Sequence, residues 1–212
     1  FVPPTLTSTM DKPGFNLADG VSQEETFSVL SCDIRNFTTF SESITCTECF
    51  RFINSFFNVM GPGIRDFGGF VYQYIGDAIM ALYKLGEGGH ADNVIQSSIA
   101  IQNQILTDYN QGRKRAGYAT IKVGIGVNTG PVATGVAGTP ERMDACAFGN
   151  TVNLAARCES LTKEFPTSII ITEFTRNQLK DPNAYEMESL GPQEIKGLEK
   201  KIHLYAVSSV GG

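Results

Sequence analysis

Residues 68–83 read GGFVYQYIGDAIMALY. Two runs rich in β-branched and aromatic residues flank a Gly-Asp pair, a pattern that predicts a β-hairpin. Gly76 and Asp77 form its turn, with glycine in the first position as a type II′ turn requires. A carboxylate, Asp77, therefore stands at the tip of an apolar hairpin, and an amide, Gln73, stands four residues before it.

A second carboxylate closes the preceding strand pattern. The run ETFSVLSCDI, residues 25–34, reads as a buried strand with Asp33 near its end. Burying a carboxylate without a partner is unfavourable. If the two strands are neighbours, Asp33 and Asp77 converge, and the simplest shared partner is a hard divalent cation such as Mg²⁺. Two metal-binding carboxylates in turn imply a phosphate-bearing substrate. The following DIRNFTTFSE is a strand end and helix start rich in Thr and Ser, where free backbone N–H groups bind phosphate oxygens. Taken singly, an Asp at a strand end serves equally well as a turn cap.

The rest of the chain alternates helices with strands. TCTECFRFINSFFNVMGPGIRDFG predicts a helix capped by Thr45 or Thr47, with Phe50, Ile53, Phe56, Phe57 and Met60 on its core side. ADNVIQSSIAIQNQILTDYNQ predicts a second helix, with Val94, Ile95, Ile99 and Ile105 inward. IKVGIGVNTG and VATGVAG read as a strand pair, GNTVNLAARCESLTKEF as a third helix, SIIIT as a strand, EFTRNQL as a short helix and QEIKGLEKKIHLYAV as a closing hairpin. The expected architecture is α+β, a mainly antiparallel sheet with helices on one face. Residues 1–24 carry three of the nine prolines and read as a tail or linker, leaving 25–208 as one domain.

On the third helix Asn153 and Arg157 are four residues apart and project from one side. Asn offers a neutral donor and acceptor; Arg offers a planar fork suited to phosphate. A solvated helix surface would carry the same residues.

Composition narrows the class. The 212 residues are 42% hydrophobic and 18% charged, a globular balance. A net charge of −5 disfavours a nucleic-acid or anionic-membrane binder. Nothing approaches the ~18 consecutive apolar residues of a membrane span. Five irregularly spaced cysteines suit a reducing compartment, and Cys46-x-x-Cys49 lacks the second pair that a zinc site needs. The first residue is Phe1, so the sequence reads as an excerpt, and an upstream sensor or membrane segment is expected.

Together FSVLSCDIRNFTTFSE, GGFVYQYIGDAIMALY, VGIGVNTGPVATGVAG and RMDACAFGNTVNLAARCES closely resemble the class III nucleotidyl cyclases, which include adenylate and guanylate cyclases. The likeness runs from about Thr26 to Val207. It implies a ferredoxin-like cyclase homology domain that works as a head-to-tail homodimer, and a phosphorus-oxygen lyase that makes a 3′,5′-cyclic nucleotide and pyrophosphate. Asp33 and Asp77, helped by the Ile34 carbonyl, would bind two divalent ions, Mg²⁺ or Mn²⁺. The N–H groups of Asn36, Phe37 and Thr38 would hold the triphosphate. Asn153, orienting the ribose, and Arg157, stabilising charge on the α-phosphate, would come from the other subunit. Lys196 matches a lysine that reaches the terminal phosphates, and Lys122 a second basic contact. A cytoplasmic domain, in a full-length protein that a membrane could anchor, is the expected setting. A catalytically silent regulatory module would lack a metal Asp or the Asn/Arg pair, and all four are present.

The family's two base-selecting positions fall on Gln73 and Cys146. Adenylate cyclases typically carry Lys with Asp or Thr there; guanylate cyclases carry Glu with Cys. Lysine donates only, toward adenine N1, whereas Glu accepts only, from guanine N1–H and N2–H. Gln does either by flipping its amide, and Cys is a weak donor suited to guanine O6. GTP is the favoured substrate, with ATP or dual specificity as the alternative. CAFGNTVNLAARCES resembles guanylate cyclases, whereas FVPP, DIRNFTTFSE and YIGDAIMALY resemble microbial cyclases, most of which make cyclic AMP.

Overall fold

The computed structural model describes residues 22–139 and 141–210. Its strands are β1 (Ser22–Ile34), β2 (Gly69–Ile75), β3 (Ala78–Lys84), β4 (Val123–Thr139), β5 (Arg142–Phe148), β6 (Ile169–Thr172), β7 (Tyr185–Gln193) and β8 (Ile202–Val210). The helices are α1 (Phe37–Glu42), α2 (Cys46–Arg65), α3 (Asp92–Ala100), α4 (Leu106–Arg115), α5 (Asn150–Leu161) and α6 (Glu173–Arg176). A π turn over Ile101–Ile105 joins α3 to α4.

The sheet order is β2-β3-β1-β4-β6-β8-β7, with β5 paired to β4. All pairings are antiparallel except β4 with β6. β1 and β3 lie inside the sheet and are apolar on both sides. Leu30, Cys32, Ile34, Ile79, Ala81 and Tyr83 join α2 and α3 in the main core. Phe27, Val29, Met80 and Leu82 join Val132 and Ala155 of α5 in a second cluster. Helices therefore cover both faces, which corrects the one-face expectation: α5 packs opposite α2.

Thr45 caps α2 in a capping box. Its hydroxyl accepts from Glu48 N at 3.3 Å, and its own N–H donates to Glu48 Oε2 at 2.8 Å. Phe56 and Met60 are fully buried as expected, and Ile53 and Phe57 pack against the core. Phe50 does not; it is 73% exposed, and Phe52 takes the core position.

Three boundaries differ from the sequence reading. β1 takes residues 22–24, which had read as tail; residues 1–21 of that tail lie outside the described residues. β4 is one 17-residue strand, not a strand pair. Its glycines are sites of close approach rather than breaks: a Cβ at Gly126 would overlap the Glu159 N–H and the Ala155 carbonyl of α5. The partner strand is β5, which pairs Ala133 with Phe148 through Thr139 with Arg142. The closing hairpin begins earlier, at Tyr185, where an edge strand tolerates Gly191 and Pro192.

Candidate active site

The hairpin turn falls at Gly76 and Asp77, between β2 and β3. Gly76 has φ of 62°, and Asp77 is not among the residues with positive φ, as in a type II′ turn. β3 pairs with β1 through Cys32 and Ile79, so Asp77 is carried to the end of β1. There its Oδ2 accepts the Ile34 N–H at 3.2 Å, and its carboxyl meets that of Asp33. Burial, then the hydrogen bond and charge of Asp33, push the Asp77 carboxyl up to about 7, against the pull of its own N–H and that of Ile34.

Two carboxylates this close call for a cation, and their hard oxygens suit Mg²⁺ or Mn²⁺. Among the described residues no third His, Cys, Asp or Glu completes a metal cluster with them. The donor set therefore fits an ion whose remaining ligands are water and substrate phosphate oxygens, as is usual for Mg²⁺.

The chain leaves β1 through Asn36, which adopts left-handed φ 58°, ψ 30° and caps α1 without a side-chain hydrogen bond. This turn presents the first N–H groups of α1, those of Phe37 and Thr38, which have no partner within the helix. Lys122, exposed at the start of β4, accepts the Arg35 N–H with its carbonyl at 2.8 Å and so stands beside the same turn.

Asn153 and Arg157 lie on α5. Thr151, Leu154, Ala155, Cys158 and Glu159 are its buried residues, so Asn153 and Arg157 face away from the sheet. No hydrogen bond or ion pair joins either to Asp33 or Asp77 among the described residues. The Arg157 guanidinium instead lies over Gly197, where a Cβ would stand 3.2 Å from Nη2. Gly197 has φ of 82° in the loop between β7 and β8, and this contact brings the neighbouring exposed Lys196 to the same end of α5.

Gln73 is exposed on β2, and a β-bulge decides its direction. Val71 pairs with Ala81 and Gln73 with Met80, leaving Tyr72 as the extra residue. Gln73 thereby shares the Met80 side of the sheet, the side of α5 and β5. Tyr74 falls on the other side and stacks on Phe57 with centroids 4.1 Å apart. Cys146 sits on β5, half-buried, its thiol 3.5 Å from the Asp144 carbonyl. Tyr72 lies close enough to feel it: burial, with Cys146 adding, pushes the Tyr72 hydroxyl up to about 12. β2 and β5 thus set Gln73 and Cys146 in one neighbourhood.

The sequence reading passed over three charged groups that stand here. Arg35 Nη1 donates to Glu159 Oε1 at 2.6 Å, and Lys163 Nζ lies 4.0 Å from Asp33 Oδ2. Glu159 carried a signal, since it falls beside Ala155 and Cys158 on the apolar side of the helix, where a charge needs a partner.

The family model for the adenylate and guanylate cyclase catalytic domain matches residues 21–209. The chain belongs to this family. An adenylate cyclase of Anabaena cylindrica is 35% identical over 215 residues, which is 99% of this chain and 42% of that protein. The adenylyl cyclase CyaB from P. aeruginosa superposes on the cyclase domain with a TM-score of 0.78 at 26% identity, over 89% of this chain and 96% of that one. The guanylate cyclase domain of RhGC from Catenaria anguillulae, solved with GTP, superposes with a TM-score of 0.71 at 27% identity, over 89% and 99%. The α+β fold expected from the sequence is thus the fold of solved class III cyclases. This cyclase domain spans less than half the length of the curated relatives it matches. None of its described helices is long and apolar enough to cross a membrane.

Proposed function

We propose that the chain converts a nucleoside triphosphate to a 3′,5′-cyclic nucleotide and pyrophosphate, with GTP favoured and ATP the alternative. One observation carries the reading. Asp33 and Asp77 meet at the end of β1, while Asn153 and Arg157 of the same chain face outward, with no bond to them among the described residues. Such halves make a whole site when two copies pack head to tail, so a homodimer with two composite sites is the simplest assembly.

In that site the carboxylates of Asp33 and Asp77, with the Ile34 carbonyl, would hold two divalent ions, Mg²⁺ or Mn²⁺. When bound, the ions lower the pKa of the ribose 3′-hydroxyl and neutralise phosphate charge. The N–H groups of Asn36, Phe37 and Thr38, with Lys122, hold the triphosphate from one protomer; Lys196 reaches its terminal phosphates from the other. Asn153 fixes the ribose so that the 3′-oxygen lies in line with the α-phosphorus, and Arg157 stabilises charge on the α-phosphate. The O3′–P bond forms, the bond to pyrophosphate breaks, and the 3′-hydroxyl proton passes to solvent.

Base choice rests on Gln73 and Cys146. The thiol suits guanine O6 and is a poor acceptor for the adenine amino group; the amide serves either base. The relatives include cyclases named for each nucleotide. Upstream sensory or membrane-anchoring segments, with this domain on the cytoplasmic side, fit the receptor cyclases among them. The test measures cyclic nucleotide and pyrophosphate from GTP and ATP side by side, with Mg²⁺ and Mn²⁺. Faster turnover of GTP is expected. No product from either nucleotide would end the cyclase reading, and faster turnover of ATP would end the GTP assignment alone.

A further inference from the structure

Arg35 and Glu159 have no role in the chemistry above, yet they form the most enclosed ion pair at the site. Arg35 stands between Asp33 and the turn at Asn36. Its side chain turns away from both and crosses β4 to the last turn of α5. Nη1 donates to Glu159 Oε1 at 2.6 Å and Nη2 to the Glu159 carbonyl at 3.4 Å. The two side chains are 16% and 6% exposed. β4 makes room for this crossing, because a Cβ at Gly124 would overlap the guanidinium. On its other side Arg35 is held through its N–H to the Lys122 carbonyl. Just past the end of α5 the Thr162 hydroxyl donates to the Glu159 carbonyl at 2.6 Å, and Lys163 lies beside Asp33.

Replacing a buried ion pair by apolar side chains of similar volume is often neutral or stabilising, so stability alone is a weak reason for this one. Its location supplies a better reason. Glu159 faces the sheet, while Arg157, two residues earlier, faces outward. The pair therefore ties the carboxylate end of β1 to the helix that carries Asn153 and Arg157. In a head-to-tail dimer those two halves of one protomer serve different substrate molecules.

We infer that Arg35 and Glu159 are a positioning pair that links the two composite sites through each protomer, so that the alignment of α5 at one site sets the carboxylates and phosphate-binding turn at the other. The inference rests on the cyclase reading and its dimer. Mixed dimers test it. One protomer carries Arg157→Ala and the other Asp77→Ala, leaving a single whole site whose carboxylates come from the first. Glu159→Gln is then added to the first protomer only, whose α5 lines the dead site. The rate at the intact site should fall about tenfold in kcat with little change in KM, since small misplacements of reacting groups are costly. A first protomer with Arg35→Met and Glu159→Leu leaves no unpaired charge, should melt like the parent, and should show the same loss. An unchanged kcat in either dimer, or a loss matched by the loss of folded dimer, would overturn the link.

Hydrogen exchange reads the link without turnover. In the Glu159→Gln chain the amides of residues 36–42 should exchange faster while those of α3 do not change; equal exchange over 36–42 would overturn it. A parent inactive on both nucleotides would remove the cyclase reading and leave the physical tie to stand or fall on exchange.

Discussion

Asp77 and Asp33 sit carboxyl to carboxyl at the end of β1, and Asp77 carries the strain of that meeting. Its carboxyl is raised from 3.8 to about 7, by burial first and Asp33 next. A raised carboxyl favours the protonated folded state. Its contribution to metal-free stability is therefore full below the unfolded value and lost as pH rises through about 7. In EDTA the chain should melt lower at pH 8 than at pH 6, and Asp77→Asn should flatten that slope. Metal affinity runs the other way, because binding needs the carboxylate. Titration calorimetry with Mn²⁺ should show affinity rising toward pH 7 and levelling above it. An Asp77→Asn chain with the parent's melting slope would refute the assignment.

The split between the carboxylates and the Asn153/Arg157 pair predicts complementation. Asp77→Ala and Arg157→Ala chains should each be inactive alone, losing at least about a hundredfold, in the range of a removed transition-state donor. Mixed in equal amounts, they should regain activity through dimers with one whole site. A mixture as inactive as its components would remove the composite site.

Base selection should follow hydrogen-bond pattern. Gln73→Lys with Cys146→Asp presents a donor to adenine N1 and an acceptor to its amino group. The ratio of kcat/KM for ATP over GTP should rise about ten- to a hundredfold, the range of one to two hydrogen bonds mismatched in the wrong complex. Gln73→Glu should move the ratio toward GTP. Ratios that stay put in both variants would place base choice elsewhere.

Two glycines should answer alanine with opposite signs. At Gly126 a Cβ would overlap backbone atoms of α5. Overpacking of this kind costs about 1–3 kcal/mol, which at about 2–4 °C per kcal/mol lowers Tm by several degrees. At Gly112, within α4, nothing lies within 4 Å. There alanine should stabilise by about 0.5–1 kcal/mol by restricting the unfolded chain. Thermal melts of both variants check the pair, and a neutral Gly126→Ala would refute the close packing of α5 on β4.

What the sequence made legible was whatever a long apolar run encodes. β1 and β3 are buried on both faces and read as continuous apolar stretches. The α2 cap was legible only to within two residues: Thr45 and Thr47 both suit the start of the run, and the capping box with Glu48 decides for Thr45. β5 was not: Arg142–Phe148 is short, mixed in polarity and paired with β4 alone. Phe50 and Phe52 were exchanged because a helix crowded with phenylalanines offers more than one apolar face. At the site, residue identities were readable but directions were not. Nothing in FVYQYI announces the bulge at Tyr72, and simple alternation would turn Gln73 toward α2. Glu159 was hidden in a motif read for its neighbours.

β1 has a further consequence. It enters the sheet at Ser22, pairs with β4 along all of its 13 residues, and is braced by β3 over its last half. Held on both sides, it behaves as a stiff rod ~40 Å long, at about 3.3 Å per residue. A push or twist delivered at Ser22 arrives at Asp33 with little absorbed on the way. Asp77 is tied to the same rod, through the pairing of β1 with β3 and through the Ile34 N–H that its carboxylate accepts. The two carboxylates thus ride on one frame, and the sheet itself, not a loop, sets the gap between them.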